Sequence, residues 1–202
     1  VIDAFARKGN VEKTVAWFDA ALSNRVSPNI RTFNALIRLF AKRGEKDAAL
    51  EWLRKAKAAG KQPDDVTHQA VLEANAAKAN VEGCLAYLDK MRKARSQPNV
   101  YHYSTALKAC AGSRRDMSAK AWGLVQRMIE EGVPPNSVVY NMAIKSFARA
   151  RSVTGEAAEQ LFRHMLEARV SPDKWTKIYL GNVVGAARLQ ELCTELSVPL
   201  EQ

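Results

Sequence analysis

Residues 27–40 read "SPNIRTFNALIRLF", and this stretch decides the fold. Phe33, Leu36, Ile37 and Phe40 fall at i, i+3, i+4 and i+7, the apolar stripe of a helix over roughly 31–43. Gly44 ends that helix as a C-terminal glycine does. A second helix over about 46–59 presents Leu50, Leu53 and Ala56 before Gly60 stops it. Pro28 and Asn29 stand just ahead of the first helix, and Asn34 lies one turn in, where packing residues are expected.

The Pro-Asn step recurs. Pro28, Pro63 and Pro98 are 35 residues apart, Pro135 and Pro172 follow at 37, and each precedes Asn29, Asp64, Asn99, Asn136 or Asp173. Ten residues before these prolines stand Phe18, Leu53, Leu88, Val125 and Phe162; seven before the last three stand Met91, Met128 and Met165. Ala6, Ala41, Ala76, Ala111 and Ala148 fill another column, as close approach of two helices requires. Such self-similarity marks a repeat architecture. One helical pair cannot bury its own apolar face but stacked pairs can, so the expected fold is all-α, a right-handed α-solenoid of helix-turn-helix repeats. Its boundaries are expected at 1–29 (a repeat lacking its first positions), 30–64, 65–99, 100–136, 137–173 and 174–202 (a degenerate capping repeat), in one continuous solenoid domain. The longer repeats carry their two extra residues between the helices, at "AGSRRDMS" and "RARSVTGE".

Composition narrows the partners. The 202 residues are 47% apolar with a net charge of +10, which favours an anionic partner such as nucleic acid or membrane, or a place within a ribonucleoprotein. Cys84, Cys110 and Cys193 are few and scattered, as in a reduced compartment, and Cys84 and Cys110 read as core. No apolar run reaches membrane-span length. The opening "VIDAFARKGN" already follows a helical pattern, so a natural N-terminus with any targeting peptide is expected upstream.

The segments "IRTFNALIRLFAKRG", "VYHYSTALKAC" and "SVVYNMAIKSFARA", with "SPN", "QPD", "QPN", "PPN" and "SPD" closing the repeats, resemble the pentatricopeptide repeat family over nearly the whole chain. The resemblance implies a module that binds single-stranded RNA at about one base per repeat, a known strategy of helical repeats. In that family the fifth and last residues of a repeat contact the base edge. Here those are Asn34 with Asp64, Gln69 with Asn99, Ser104 with Asn136, and Asn141 with Asp173. The family's pairings imply 5′-U-n-A-U-3′, with the base opposite Gln69 unassigned. Its second residue, which sandwiches the base, is Arg31, Val66, Tyr101 or Val138. Its phosphate-side basic residue is matched by Arg7, Lys42 and Arg149, whereas Ala77 and Gly112 stand there in the other repeats.

Each of these residues also has a structural reading. Asn or Ser in a first helical turn can serve the local backbone, and the Asn or Asp after each proline can be a helix N-cap. Trp17 and Trp52, 35 residues apart, are expected in the core. Trp175 is read as a capping residue, with base stacking as the alternative, and Ile178 cannot read a base edge. His68, His102 and His164 have no metal or catalytic spacing, and neither deaminase nor two-metal nuclease residues are present. The expectation is therefore a non-catalytic module without cofactors or a membrane span, acting on organelle RNA in a chloroplast or mitochondrion. The alternative is a scaffold that contacts protein subunits of an organellar assembly.

Overall fold

The computed structural model describes residues 1–147 and 155–199, and every regular element among them is an α-helix. Two compact halves divide the chain, Val1–Ser96 and Gln97–Gln202. The first holds α1 (Ile2–Arg7), α2 (Val11–Ser23), α3 (Ile30–Lys42), α4 (Lys46–Ala58), α5 (Asp65–Ala76) and α6 (Val81–Lys93). The second holds α7 (Val100–Gly112), α8 (Ser118–Glu130), α9 (Ser137–Phe147), α10 (Gly155–Glu167), α11 (Lys174–Val184) and α12 (Ala186–Glu195).

Within each half the helices pair in sequence and the pairs stack. In the first, α3 lies between α1 and α5 while packing against its own partner α4. In the second, α9 holds the same position between α7 and α11, with α8 and α10 beside it. The first helices of successive pairs thus share a row, and the second helices back them. This follows from the two apolar stripes seen in the sequence: Leu36, Ile37, Leu72 and Leu88 are fully buried in the first half, as are Tyr140, Ile144 and Phe162 in the second. Each such side chain contributes roughly 1.5–3 kcal/mol on burial. The methionine column is buried throughout. Ala6 packs with Ala35 and Leu39, so small residues do let α1 and α3 approach. Ala41 and Ala111 are buried too, Ala76 is half-buried, and Ala148 lies outside the described residues.

Turn chemistry repeats as faithfully as the core. Asn29, Asp64, Asn99, Asn136 and Asp173 each accept a hydrogen bond from a backbone N–H in the first turn of the helix that follows, as N-caps do. Three residues before each proline the chain turns through the left-handed region, at Arg25, Gly60, Arg95, Gly132 and Arg169. Only two of the five are glycine, the residue that tolerates this conformation without strain. The turns within the three pairs of the first half do the same at Gly9, Gly44 and Ala79.

One expected core residue is not in the core. Trp52 is 7% exposed and meets Phe18 edge-on at a centroid distance of 4.9 Å, but Trp17 is 48% exposed. The difference is one of neighbours: Phe18 of the preceding pair covers Trp52, and no described residue covers Trp17 in the same way. Gly185 is the single-residue joint between α11 and α12, with φ of 87°.

Candidate nucleic-acid interface

Asn34 projects from the first turn of α3 and is 4% exposed, so its amide must be satisfied inside the protein. It is held from two sides. Its Nδ2 donates to Asp64 Oδ1 at 2.8 Å, and Thr67 Oγ1 donates to its Oδ1 at 2.6 Å. Asp64 and Thr67 are themselves locked as a capping box: Thr67 N–H donates to Asp64 Oδ1 at 2.9 Å, and Asp64 N–H donates to Thr67 Oγ1 at 3.1 Å. The cap that starts α5 therefore also fixes the amide on α3.

The second half contains the same cluster. Asn141 Nδ2 lies 3.0 Å from both Asp173 oxygens, and Thr176 Oγ1 donates to Asn141 Oδ1 at 2.6 Å. Asp173 caps α11 with Thr176, completing the box. In both Asn–Asp repeats the fifth residue thus touches the last one directly. The sequence signal for the threonines that anchor it is their repeat position, since Thr67 and Thr176 stand where Thr32 does in the first full repeat.

Burial pushes the Asp64 carboxyl upward, but hydrogen bonds from the Thr67 backbone and hydroxyl and from Asn34 outweigh it and hold its pKa below the ordinary carboxylate value. Asp173 is lowered in the same way: burial opposes, and the bonds from Thr176 and Asn141 prevail. Both carboxylates are ionised at neutral pH.

The other expected residues sit as follows. Ser104 Oγ donates to Tyr101 O on its own helix at 3.0 Å, and Asn136 caps α9. Gln69 Nε2 donates to Glu73 Oε1 at 3.1 Å. Gln69 belongs to the first half and Asn99, which caps α7, to the second. Arg31 is exposed, and so are Val66, Tyr101 and Val138 at 46%, 70% and 51%, a run of unburied side chains at one repeat position. Trp175 extends that run at 55% and stacks on Tyr179 at 5.8 Å, with Lys145 Nζ 5.0 Å from the Tyr179 centroid. Lys42 is exposed, Arg7 pairs with Asp3 at 2.8 Å, and Arg149 lies outside the described residues.

In the first half a groove of about 940 Å³ gathers Asn34, Asp64, Arg31 and Val66, together with Arg38 and Trp17. Arg38 lies four residues beyond Asn34, on the same helix face. Lys108 and Lys145 stand in that position after Ser104 and Asn141. The sequence signal for these cations is their recurrence four residues after Asn34, Ser104 and Asn141. Among the described residues no cluster of His, Cys, Asp and Glu is arranged to hold a metal, and no helix is long and apolar enough to cross a membrane.

An array of helix-turn-helix pairs, with polar residues recurring on one face of the first helix, defines a class of helical repeat proteins. A family profile described as the pentacotripeptide-repeat region of PRORP matches residues 2–117, and the chain belongs to the pentatricopeptide repeat family. Among solved structures it is similar to the pentatricopeptide repeat protein PPR10 from maize, with 25% identity over 100% of this chain and a TM-score of 0.72. PPR10 in complex with an 18-nt psaJ RNA element gives 24% identity over 96% of this chain, with a TM-score of 0.74. The chain spans 28–29% of PPR10. The PPR domain of Arabidopsis thaliana protein-only RNase P 1, in complex with tRNA, is 16% identical, with 98% of this chain and 95% of that one covered and a TM-score of 0.69. No curated protein matches.

Proposed function

We propose that the chain is a non-catalytic RNA-binding module that reads single-stranded RNA at about one base per repeat. The observation that carries this reading is the recurrence, in both halves, of an Asn amide clamped between an Asp cap and a Thr hydroxyl. With Oδ1 taken by threonine and one Nδ2 hydrogen by aspartate, the amide keeps a second hydrogen to donate beside an anionic acceptor. That pair complements an imide edge such as the O4 and N3–H of uracil. The exposed second-position residues, from Arg31 to Trp175, supply flat or aliphatic surfaces on which bases stack. Arg38, Lys108 and Lys145 add charge one turn further along each helix, giving salt-sensitive affinity. The solved complexes of PPR10 with an RNA element and of the PRORP1 domain with tRNA support an RNA ligand. Action on organelle RNA, in processing, stability or translation, is the setting the family suggests.

Selection from randomised single-stranded RNA at physiological salt tests the proposal. The wild-type chain should enrich a U-n-A-U core, and Asn34→Ala or Asp64→Ala should erase the preference at the first position only. Unselective binding, or none, would point to the scaffold alternative.

A further inference from the structure

The repeat at 65–99 departs from its neighbours in two linked ways. Where α3, α7 and α9 carry Arg38, Lys108 and Lys145, α5 carries Glu73. Where Asn34 and Asn141 are clamped by an aspartate cap and a threonine, Gln69 donates its amide to Glu73, four residues along its own helix, at 3.1 Å. The Gln69 Oε1 atom is itself buried. The Gln69 amide is thus drawn along its own helix toward the position that a cation fills on α3, α7 and α9, and a carboxylate takes the place of that cation. A negative group there repels a phosphate backbone, and an amide drawn one turn along its own helix is displaced from where Asn34 holds its own.

We propose that Glu73 makes this repeat a spacer, which spans a nucleotide without selecting its base because Glu73 tethers Gln69 and puts a negative charge where the other repeats carry a cation. The inference rests on base reading by the other repeats and revises the expectation that Gln69 reads a base.

Two variants separate the tether from the charge. Glu73→Gln keeps an acceptor for the Gln69 amide but removes the charge, so affinity for U-n-A-U RNA should rise about fivefold, as expected for one like-charge contact in water, with no new preference. Glu73→Ala also releases Gln69, so the same gain should come with a base preference at the second position. Circular dichroism and thermal melting confirm that each variant is folded. If the wild-type chain selects one base at the second position as sharply as at the first, or if neither variant gains affinity, the spacer inference is wrong. If selection is absent at the first and fourth positions as well, base reading itself fails and the inference falls with it.

Discussion

Replacing Thr67 with Val removes one hydroxyl and keeps the shape of the side chain. In the structure that hydroxyl donates to Asn34 Oδ1 at 2.6 Å, lies 2.8 Å from Asp64 Oδ1, and accepts from Asp64 N–H at 3.1 Å. The residues differ in what they can do after the change. Asp64 is only half-buried, so its N–H can turn to water at little cost. Asn34 is 4% exposed, so its Oδ1 is stranded, and a stranded buried acceptor costs roughly 1–3 kcal/mol. The Asp64 bond to Thr67 N–H survives, so the N-cap of α5 is kept. The expected loss is therefore about 2 kcal/mol, or about 4–8 °C in Tm for a chain of this size. Urea denaturation of Thr67→Val against wild type measures it, with Thr67→Ser, which keeps the hydroxyl, as the control. RNA affinity should fall with discrimination lost at the first base alone, because the amide is no longer aimed. A Thr67→Val chain as stable as wild type to within ~0.5 kcal/mol would refute the view that the hydroxyl holds Asn34.

The lowered pKa values of Asp64 and Asp173 make a signed prediction. Their stabilisation is complete above the ordinary carboxylate value of 3.8 and is lost as pH falls through the lower folded values, so Asp64→Asn with Asp173→Asn should flatten stability against pH below 3.8. A slope in acid unaltered by the double change would contradict it. Ala79→Gly and Arg95→Gly relieve left-handed backbone at φ of 49° and 59°, and each should raise stability by about 0.5–1 kcal/mol in thermal melts. Gly83→Ala should instead destabilise by about 1–3 kcal/mol despite alanine's helix propensity. Its Cβ would strike the Asn75 and Asn80 side chains that tie α5 to the cap of α6.

The parts legible in the sequence were those written as a period. Prolines set the repeat, glycines and apolar stripes set the helices, and the Asn or Asp after each proline proved to be the cap of the next helix. What escaped was set by contacts between helices. Thr67 looks like an ordinary strand-favouring residue in a helix, and only the approach of α5 to α3 turns its hydroxyl into the anchor of Asn34. Trp17 shares a column with Trp52, yet its environment depends on a neighbouring helix that the column does not encode. Arg25, Arg95 and Arg169 fill a left-handed slot that glycine would have announced and arginine conceals. Glu73 stands four residues after Gln69, a spacing common to many helical pairs that does not by itself reveal the Gln69 bond.

If residues on adjacent helices choose the base together, exchanging one such set should exchange the base. Asn34→Ser with Asp64→Asn gives the first full repeat the residue types that stand at Ser104 and Asn136 in the third. Titration of both chains with two RNAs that differ only in U or A at the first position should show preference switching from U to A, by about tenfold in Kd, within the range one matched base edge provides. The same preference in both chains, or none in either, would contradict the account.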